Sequence, residues 1–238
     1  MKGRRGAAPA PALQRPLVIA AVGQKGGSGK STLTSTLGDC ALARGYRVLF
    51  VDADPQHTLT MWAAAAAEAR QVRRVLSSLE PHREAEKFPG HDLVLIDSPG
   101  RLDVTQRSAL LVADLAIVPA VPSPADLWAL KDSVDLVRTA QQLRPAGALQ
   151  LGLVLNRVTR SLIARQTGEL IRGAATRKGI PVLRGELGQR TAYVEGLARG
   201  TGPVTLEPSG AAGREVAQVF DEVLGLCLQG GRDAQLPT

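Results

Sequence analysis

The sequence predicts an α/β protein in which a mostly parallel, twisted sheet carries helices on both faces. Short apolar runs, such as Leu17–Val22 and Arg47–Asp52, alternate with stretches whose apolar residues recur at helical spacing, such as Leu33–Arg44. Hydrophobic residues make up 44% of the 238-residue chain, but aromatic residues only 3%. A core of Ala, Val, Leu and Ile therefore has to be expected, and it suits parallel strands that are buried on both faces.

The length favours one substantial domain, which we place at residues 17–228. A basic, Ala- and Pro-rich arm is expected over residues 1–16, where no structure is predicted, and a flexible tail over 229–238. The arm lacks the apolar segment of a secretory signal, and the chain has no run of 18 apolar residues. These observations predict a cytoplasmic protein.

A glycine-rich turn, Gly23–Thr32, lies between the first strand and the first helix and matches the phosphate-loop pattern G-x-x-x-x-G-K-[ST]. Backbone N–H groups of such a turn point at phosphate oxygens, and the helix N-terminus adds partial positive charge. Lys30 is placed to reach the β- and γ-phosphates and Ser31 to bind Mg²⁺. The predicted phosphate-binding residues are Gly26, Gly27, Ser28, Gly29, Lys30, Ser31 and Thr32.

Carboxylates follow two other predicted strands. Asp52 and Asp54 end the second strand and, being two residues apart in extended chain, point the same way. Asp97 follows the apolar run Leu93–Ile96, which is the Walker B pattern of a Mg²⁺ site. The ends of parallel strands are where α/β sheets bind ligands, so a Mg²⁺ site is predicted from Ser31 and Asp97, with Asp52 and Asp54 at the same edge.

A second lysine, Lys25, stands inside the loop. The pattern Lys-Gly-Gly-x-Gly-Lys-[Ser/Thr], followed by Asp-x-Asp-Pro-Gln, resembles the deviant Walker A ATPases of the ParA/MinD family, a branch of the P-loop NTPases. This resemblance implies that Lys25 crosses a dimer interface to the partner's nucleotide, and that Lys25, Lys30 and Asp54 are catalytic. In such proteins Asp54 positions or activates the attacking water, and Asp52 supports the Mg²⁺ region. An asparagine at the position of Asn156 binds the adenine edge, for which an amide supplies both donor and acceptor.

The net charge of +7 is unevenly distributed. Residues 1–16 hold four basic and no acidic side chains, and residues 144–199 hold ten basic against three acidic. Such asymmetry suggests a polyanion-binding surface, although an arginine-rich solvated surface is the alternative. The candidate DNA contacts, chosen by charge, are Arg157, Arg160, Arg165, Arg172 and Arg190.

The resemblance extends over residues 17–228 and is most detailed for small plasmid-partition ParA proteins. It implies a weak, partner-stimulated ATPase with ATP and Mg²⁺ as cofactors. It also implies an ATP-bound homodimer on non-specific DNA, hence nucleoid association, and a ParB-like partner or cargo adaptor. The cargo, whether plasmid, chromosome region or protein body, stays open.

Two alternatives use the same fold. A MinD-like membrane switch is opposed by the acidic side chains Glu215, Asp221 and Glu222 on the last predicted helix, where a membrane-binding helix needs cations. A metabolic enzyme would have no need of Lys25.

Overall fold

A computed structural model describes residue 13 and residues 15–68, 74–100, 104–145 and 148–233. The arm predicted over residues 1–16 therefore lies mostly outside the described residues, as does the end of the predicted tail at 234–238.

Seven strands form one sheet, and every neighbouring pair of strands is parallel. The strands are β1 (Leu17–Ala21), β2 (Val48–Asp52), β3 (Arg74–Ser77), β4 (Leu93–Asp97), β5 (Leu115–Ala120), β6 (Gln150–Val158) and β7 (Val182–Gly188). Their order across the sheet is β3-β2-β4-β1-β5-β6-β7. The predicted α/β fold is confirmed, and the sheet is wholly rather than mostly parallel over the described residues.

Helices connect the strands and cover the sheet. They are α1 (Lys30–Ala43), α2 (Thr58–Glu68), α3 (Val104–Val112), α4 (Pro124–Gln142), α5 (Leu162–Arg177), α6 (Thr191–Ala198), α7 (Pro203–Leu206) and α8 (Ala211–Asp233), and a 3-10 helix spans Pro81–Lys87. The short helix α7 begins at Pro203, which occupies the first helical position, where its missing N–H costs nothing. Helix α8 runs to Asp233, beyond residue 229, where the flexible tail was expected to begin.

The two faces of the sheet carry separate apolar layers. On one face, α1, α2 and α8 pack on the strands through residues such as Leu37, Trp62 and Phe220. On the other face, α3 and α4 contribute Leu110 and Val137. Because both faces of the sheet are covered, all five residues of each of the strands β1, β2 and β4 are buried.

The strand register brings the predicted site residues to one edge of the sheet. Asp52 at the end of β2 is paired with Asp97 at the end of β4, and Asp97 is paired with Ala21 at the end of β1. The glycine-rich turn begins just after β1, so the carboxylates and the turn meet at the carboxyl edge. Within the described residues, no helix is long and apolar enough to cross a bilayer.

Candidate functional site

The glycine-rich turn joins β1 to α1 and has the backbone of a phosphate loop. Gly27 and Gly29 have φ values of 78° and 91°, in the left-handed region that favours glycine. A Cβ atom on Gly29 would lie 2.4 Å from Nδ2 of Asn156. Both the conformation and the space at Gly29 therefore require a residue without a side chain.

Lys30, the first residue of α1, is buried with its ammonium group inside the turn. Its Nζ donates a hydrogen bond to the carbonyl oxygen of Lys25 at 3.1 Å. Burial lowers the pKa of Lys30, while the negative charges of Asp97 and Asp54 oppose this shift. A buried ammonium group next to exposed loop amides is an arrangement that an anionic phosphate would stabilise.

Asp97 is fully buried at the end of β4. Burial raises the pKa of Asp97 to about 7, with Asp52 and Asp54 adding to the rise and Ser31 and Lys30 opposing it. The Ser31 hydroxyl is thus near, yet neither carboxylate oxygen of Asp97 accepts a hydrogen bond of normal geometry from a described residue. Buried oxygens that lack partners are what a bound cation would satisfy, so Asp97 with Ser31 fits Mg²⁺.

No group of three or more His, Cys, Asp or Glu side chains that could hold a metal ion exists among the described residues. In nucleotide sites, Mg²⁺ is held by one or two protein carboxylates together with phosphate and water oxygens.

Asp52 has a structural task that the sequence did not indicate. Its Oδ2 accepts hydrogen bonds from the backbone N and the Oγ1 of Thr60, at 2.8 and 2.6 Å, and Oδ1 accepts from the N of Asp54 at 3.3 Å. These bonds fix the first turn of α2 against the end of β2. The contribution of Asp52 to Mg²⁺ binding stays a prediction.

Asp54 is half-buried in the turn after β2, and its Oδ1 accepts a hydrogen bond from the N of Gln56 at 2.9 Å. Its charge acts on both Lys30 and Asp97, since it opposes the fall in the pKa of the first and raises the pKa of the second. The predicted catalytic carboxylate therefore lies within electrostatic reach of both buried groups.

Lys25 lies at the surface of the turn and forms an ion pair within its own chain. Its Nζ is 2.7 Å from Oδ1 of Asp126, and 46% of its side chain is exposed. Asp126 is held in the first turn of α4, where its N donates to the Oγ of the N-cap residue Ser123 at 3.2 Å. The pairing of Lys25 with Asp126 was not foreseen from the sequence, because 101 positions separate them.

Asn156, near the end of β6, contacts the turn directly. Its Nδ2 donates to the carbonyl oxygen of Ser28 at 2.8 Å, and its Oδ1 accepts from the N of Arg157 at 2.9 Å. Arg157 has a φ of 54°, a left-handed conformation that is uncommon outside glycine. One amide hydrogen and one lone pair stay available, so adenine recognition by Asn156 stays a prediction.

The five candidate arginines fall into two groups. Arg172 is half-buried and its guanidinium donates to Leu183 O at 2.7 Å and to Glu186 Oε1 at 2.6 Å. Arg190 forms an ion pair with Glu215, which also accepts from Tyr193. Each of these two cations has a carboxylate partner within the fold.

The other three arginines, Arg157, Arg160 and Arg165, are exposed. None of the three forms an ion pair with a residue that the structure describes. They lie between the end of β6 and the first turn of α5, on the same edge of the sheet as the glycine-rich turn.

Comparisons with known proteins agree with this geometry. Residues 19–204 match the model of the CobQ/CobB/MinD/ParA nucleotide binding domain. The chain is 31% identical over 219 residues to the maintenance of carboxysome distribution protein A of Halothiobacillus neapolitanus, covering 90% of this chain and 97% of that protein.

Solved structures show the same fold. An ATP complex of a McdA variant from Cyanothece superposes with a TM-score of 0.69 at 18% identity, covering 89% of this chain and 97% of that one. The Mg-ADP complex of the septum site-determining protein MinD from Pyrococcus horikoshii superposes with a TM-score of 0.68 at 20% identity, covering 90% and 98%. These two relatives hold ATP and Mg-ADP, which are ligands of the kind predicted from the sequence.

Proposed function

The chain belongs to the CobQ/CobB/MinD/ParA family of nucleotide-binding domains, and from this premise we propose that it is an ATP-driven switch that distributes a cargo along DNA. In this proposal ATP closes two copies of the chain face to face, and hydrolysis opens them again. The closed dimer binds DNA without sequence preference, and a partner protein stimulates hydrolysis.

The observation that carries the proposal is that one lysine of the loop, Lys30, is buried, while the other, Lys25, is partly exposed. Lys30 is buried within the turn, as a lysine that serves its own nucleotide should be. Lys25 is nearly half exposed at the same turn, where it forms an ion pair with Asp126. An exposed ammonium group beside the phosphate site is available to a second molecule, and exposed ion pairs are weak, at most about 1 kcal/mol.

The remaining site residues have separate tasks in this proposal. The loop amides of Gly26 to Thr32 and the ammonium of Lys30 bind the phosphates. Asp97 and Ser31 hold Mg²⁺, with Asp52 supporting them from the end of β2. Mg²⁺ would neutralise charge on the phosphate oxygens. Asp54 orients the attacking water, and Asn156 contacts the adenine.

The DNA surface is proposed to consist of Arg157, Arg160 and Arg165, because Arg172 and Arg190 are engaged in ion pairs. Joining two copies doubles the number of phosphate contacts from about three to about six. The slope of log K against log salt would then steepen from about −3 to about −5, at −0.9 per contact. A dimer is therefore expected to bind DNA at salt concentrations where a monomer does not.

The cargo is proposed to be a protein body, in keeping with the name of the Halothiobacillus relative, which refers to carboxysome distribution. A plasmid or a chromosome region would use the same cycle with another adaptor.

The test is binding to a random-sequence DNA duplex with ATP, with ADP and without nucleotide, across a salt series. Binding that appears only with ATP and has a salt slope near −5 is expected. Binding that is equal in all three states would contradict the switch. Absence of binding in every state, together with ATP-dependent binding to anionic liposomes, would favour the membrane alternative.

A matched pair of triple variants separates a DNA surface from bulk charge. Replacing Arg157, Arg160 and Arg165 with Gln should abolish ATP-dependent DNA binding while ATP hydrolysis continues. The control replaces three other exposed cations with Gln, namely Arg177, Lys178 and Arg184, none of which forms an ion pair with a described residue. It removes the same charge, so an equal loss of binding in both variants would show that net charge alone is responsible.

A further inference from the structure

A buried glutamine connects the two loops that border the phosphate site. Gln106 lies in α3 and is fully buried. Its Nε2 donates one hydrogen bond to the carbonyl oxygen of Gly23 at 3.0 Å and another to that of Pro99 at 2.5 Å. Gly23 is the first residue of the phosphate loop, and Pro99 belongs to the segment that follows Asp97.

The same two loops also touch through their backbones. A Cβ atom on Gly100 would lie 2.9 Å from both the N and the Cα of Gly26. A contact this close leaves no room for a side chain, so Gly100 lies directly on the loop that carries Lys25. A movement of Gly100 changes the space available to Gly26.

The start of the phosphate loop is also held by a hydrogen bond to α4, on the side away from α3. The N of Gln24 donates to the Oγ of Ser133 on α4 at 3.0 Å, next to the ion pair between Lys25 and Asp126. Residues 23–26 therefore lie between α3 and α4, and the Gln106 amide is the α3 side of this support.

We propose that Gln106 is a positioning residue that couples the segment after Asp97 to the loop segment carrying Lys25. The side-chain NH₂ group of Gln106 donates hydrogen bonds to the carbonyl oxygens of both Gly23 and Pro99. A shift of either carbonyl therefore strains the hydrogen bond to the other. In this proposal, a bound γ-phosphate shifts the Pro99–Gly100 backbone, and Gln106 transmits the shift to Gly23 and hence to Lys25. This inference rests on the proposed function, because it explains how ATP, and not ADP, makes Lys25 available to a second copy.

The test substitutes the amide with an apolar side chain of similar length, Gln106→Met. The matched control is Gln141→Met, since Gln141 on α4 also donates its Nε2 to a backbone carbonyl, Leu149 O at 2.9 Å, but at the opposite end of that helix. Gln106→Asn is a second, milder variant, in which the amide is one methylene too short to reach both carbonyls.

Three quantities are measured on each full-length variant: the Kd for ADP, the fraction of dimer formed with a non-hydrolysed ATP analogue, and kcat for ATP. For both Gln106 variants the Kd for ADP should stay within about threefold of wild type, while dimerisation and kcat fall at least about tenfold, as expected for a lost hydrogen bond. Gln141→Met should leave all three at wild-type values.

If the Gln106 variants lose ADP affinity to the same extent as dimerisation and kcat, and also melt at a lower temperature, Gln106 only supports the fold. That result would overturn the proposed coupling between the two loops. A wild-type ATP response in Gln106→Asn and Gln106→Met would overturn it as well. If the wild-type chain itself forms no dimer with the analogue, the proposed function fails, and that outcome is recognised before any variant is compared.

Discussion

The buried carboxylate of Asp97 should destabilise the protein in the absence of ligands, and replacing it with Asn should reveal by how much. Asp97 is fully buried, and its pKa is raised from an ordinary value near 4 to about 7, chiefly by burial. The folded state therefore retains the proton more tightly than the unfolded state. The native state then loses stability as the pH rises from about 4 to about 7, and no further loss occurs above that range.

The magnitude follows from the width of this interval. Each pH unit between the two pKa values costs about 1.4 kcal/mol, so raising the pH from about 5.5 to about 7 costs about 2 kcal/mol. Asp97→Asn has no carboxylate to ionise. The free energy of unfolding of Asp97→Asn minus that of wild type should therefore be about 2 kcal/mol larger at about pH 8.5 than at about pH 5.5. The variant thus gains stability relative to wild type as the pH rises.

The assay is urea unfolding of both proteins at the two pH values, without Mg²⁺ or nucleotide. A fixed cost of burying the amide is the same at both pH values and cancels in the difference. The control is Asp92→Asn, because Arg47 holds the pKa of that carboxyl below its usual range and it stays ionised at both pH values. A pH-dependent gain under about 0.5 kcal/mol for Asp97→Asn, or an equal gain for Asp92→Asn, would refute a raised pKa at Asp97.

Three further substitutions test individual site residues. Lys25→Ala should bind ADP as wild type does but form no dimer with an ATP analogue, as measured by size-exclusion chromatography. A dimer that persists in this variant would show that Lys25 acts only in its own chain. Asp54→Ala should bind ATP yet lose at least about 10²-fold in kcat, a typical contribution of a residue that activates water; unchanged turnover would move the role to another carboxylate. Gly29→Ala should weaken ATP binding at least about tenfold in a fluorescence titration. Gly29 has a φ of 91°, and a Cβ atom placed on it would lie 2.4 Å from Nδ2 of Asn156. Wild-type affinity would show that the turn adapts.

Much of the fold followed from local patterns in the sequence. The buried strands were visible as short apolar runs, and the glycine-rich turn between a strand and a helix specified a phosphate loop. The carboxylates at strand ends were informative because a parallel sheet brings the ends of its strands to one edge. Asp52 and Asp97 could thus be placed together although more than 40 residues separate them.

Contacts between distant side chains could not be predicted in this way. The hydrogen bonds from Thr60 to Asp52 and from Gln106 to Gly23 depend on how α2 and α3 pack on the sheet. Net charge could not distinguish among the candidate arginines for the same reason. Arg172 looked like a phosphate ligand by composition, but Glu186 lies 2.6 Å from its guanidinium in the fold. An arginine can be assigned to a polyanion surface only after its carboxylate neighbours are known.

The electrostatics of the site depend on burial, and not on residue type alone. Burial pushes both central groups towards their neutral forms, since it lowers the pKa of Lys30 and raises the pKa of Asp97. A phosphate group beside Lys30 and a cation beside Asp97 would reverse both shifts at once, so each ligand favours binding of the other. The same residues on an exposed loop would gain little from either ligand, because water already solvates them. Lys30 and Asp97 offset only part of each other's cost of burial, so their charged forms are expected to become more stable when nucleotide and metal ion are bound.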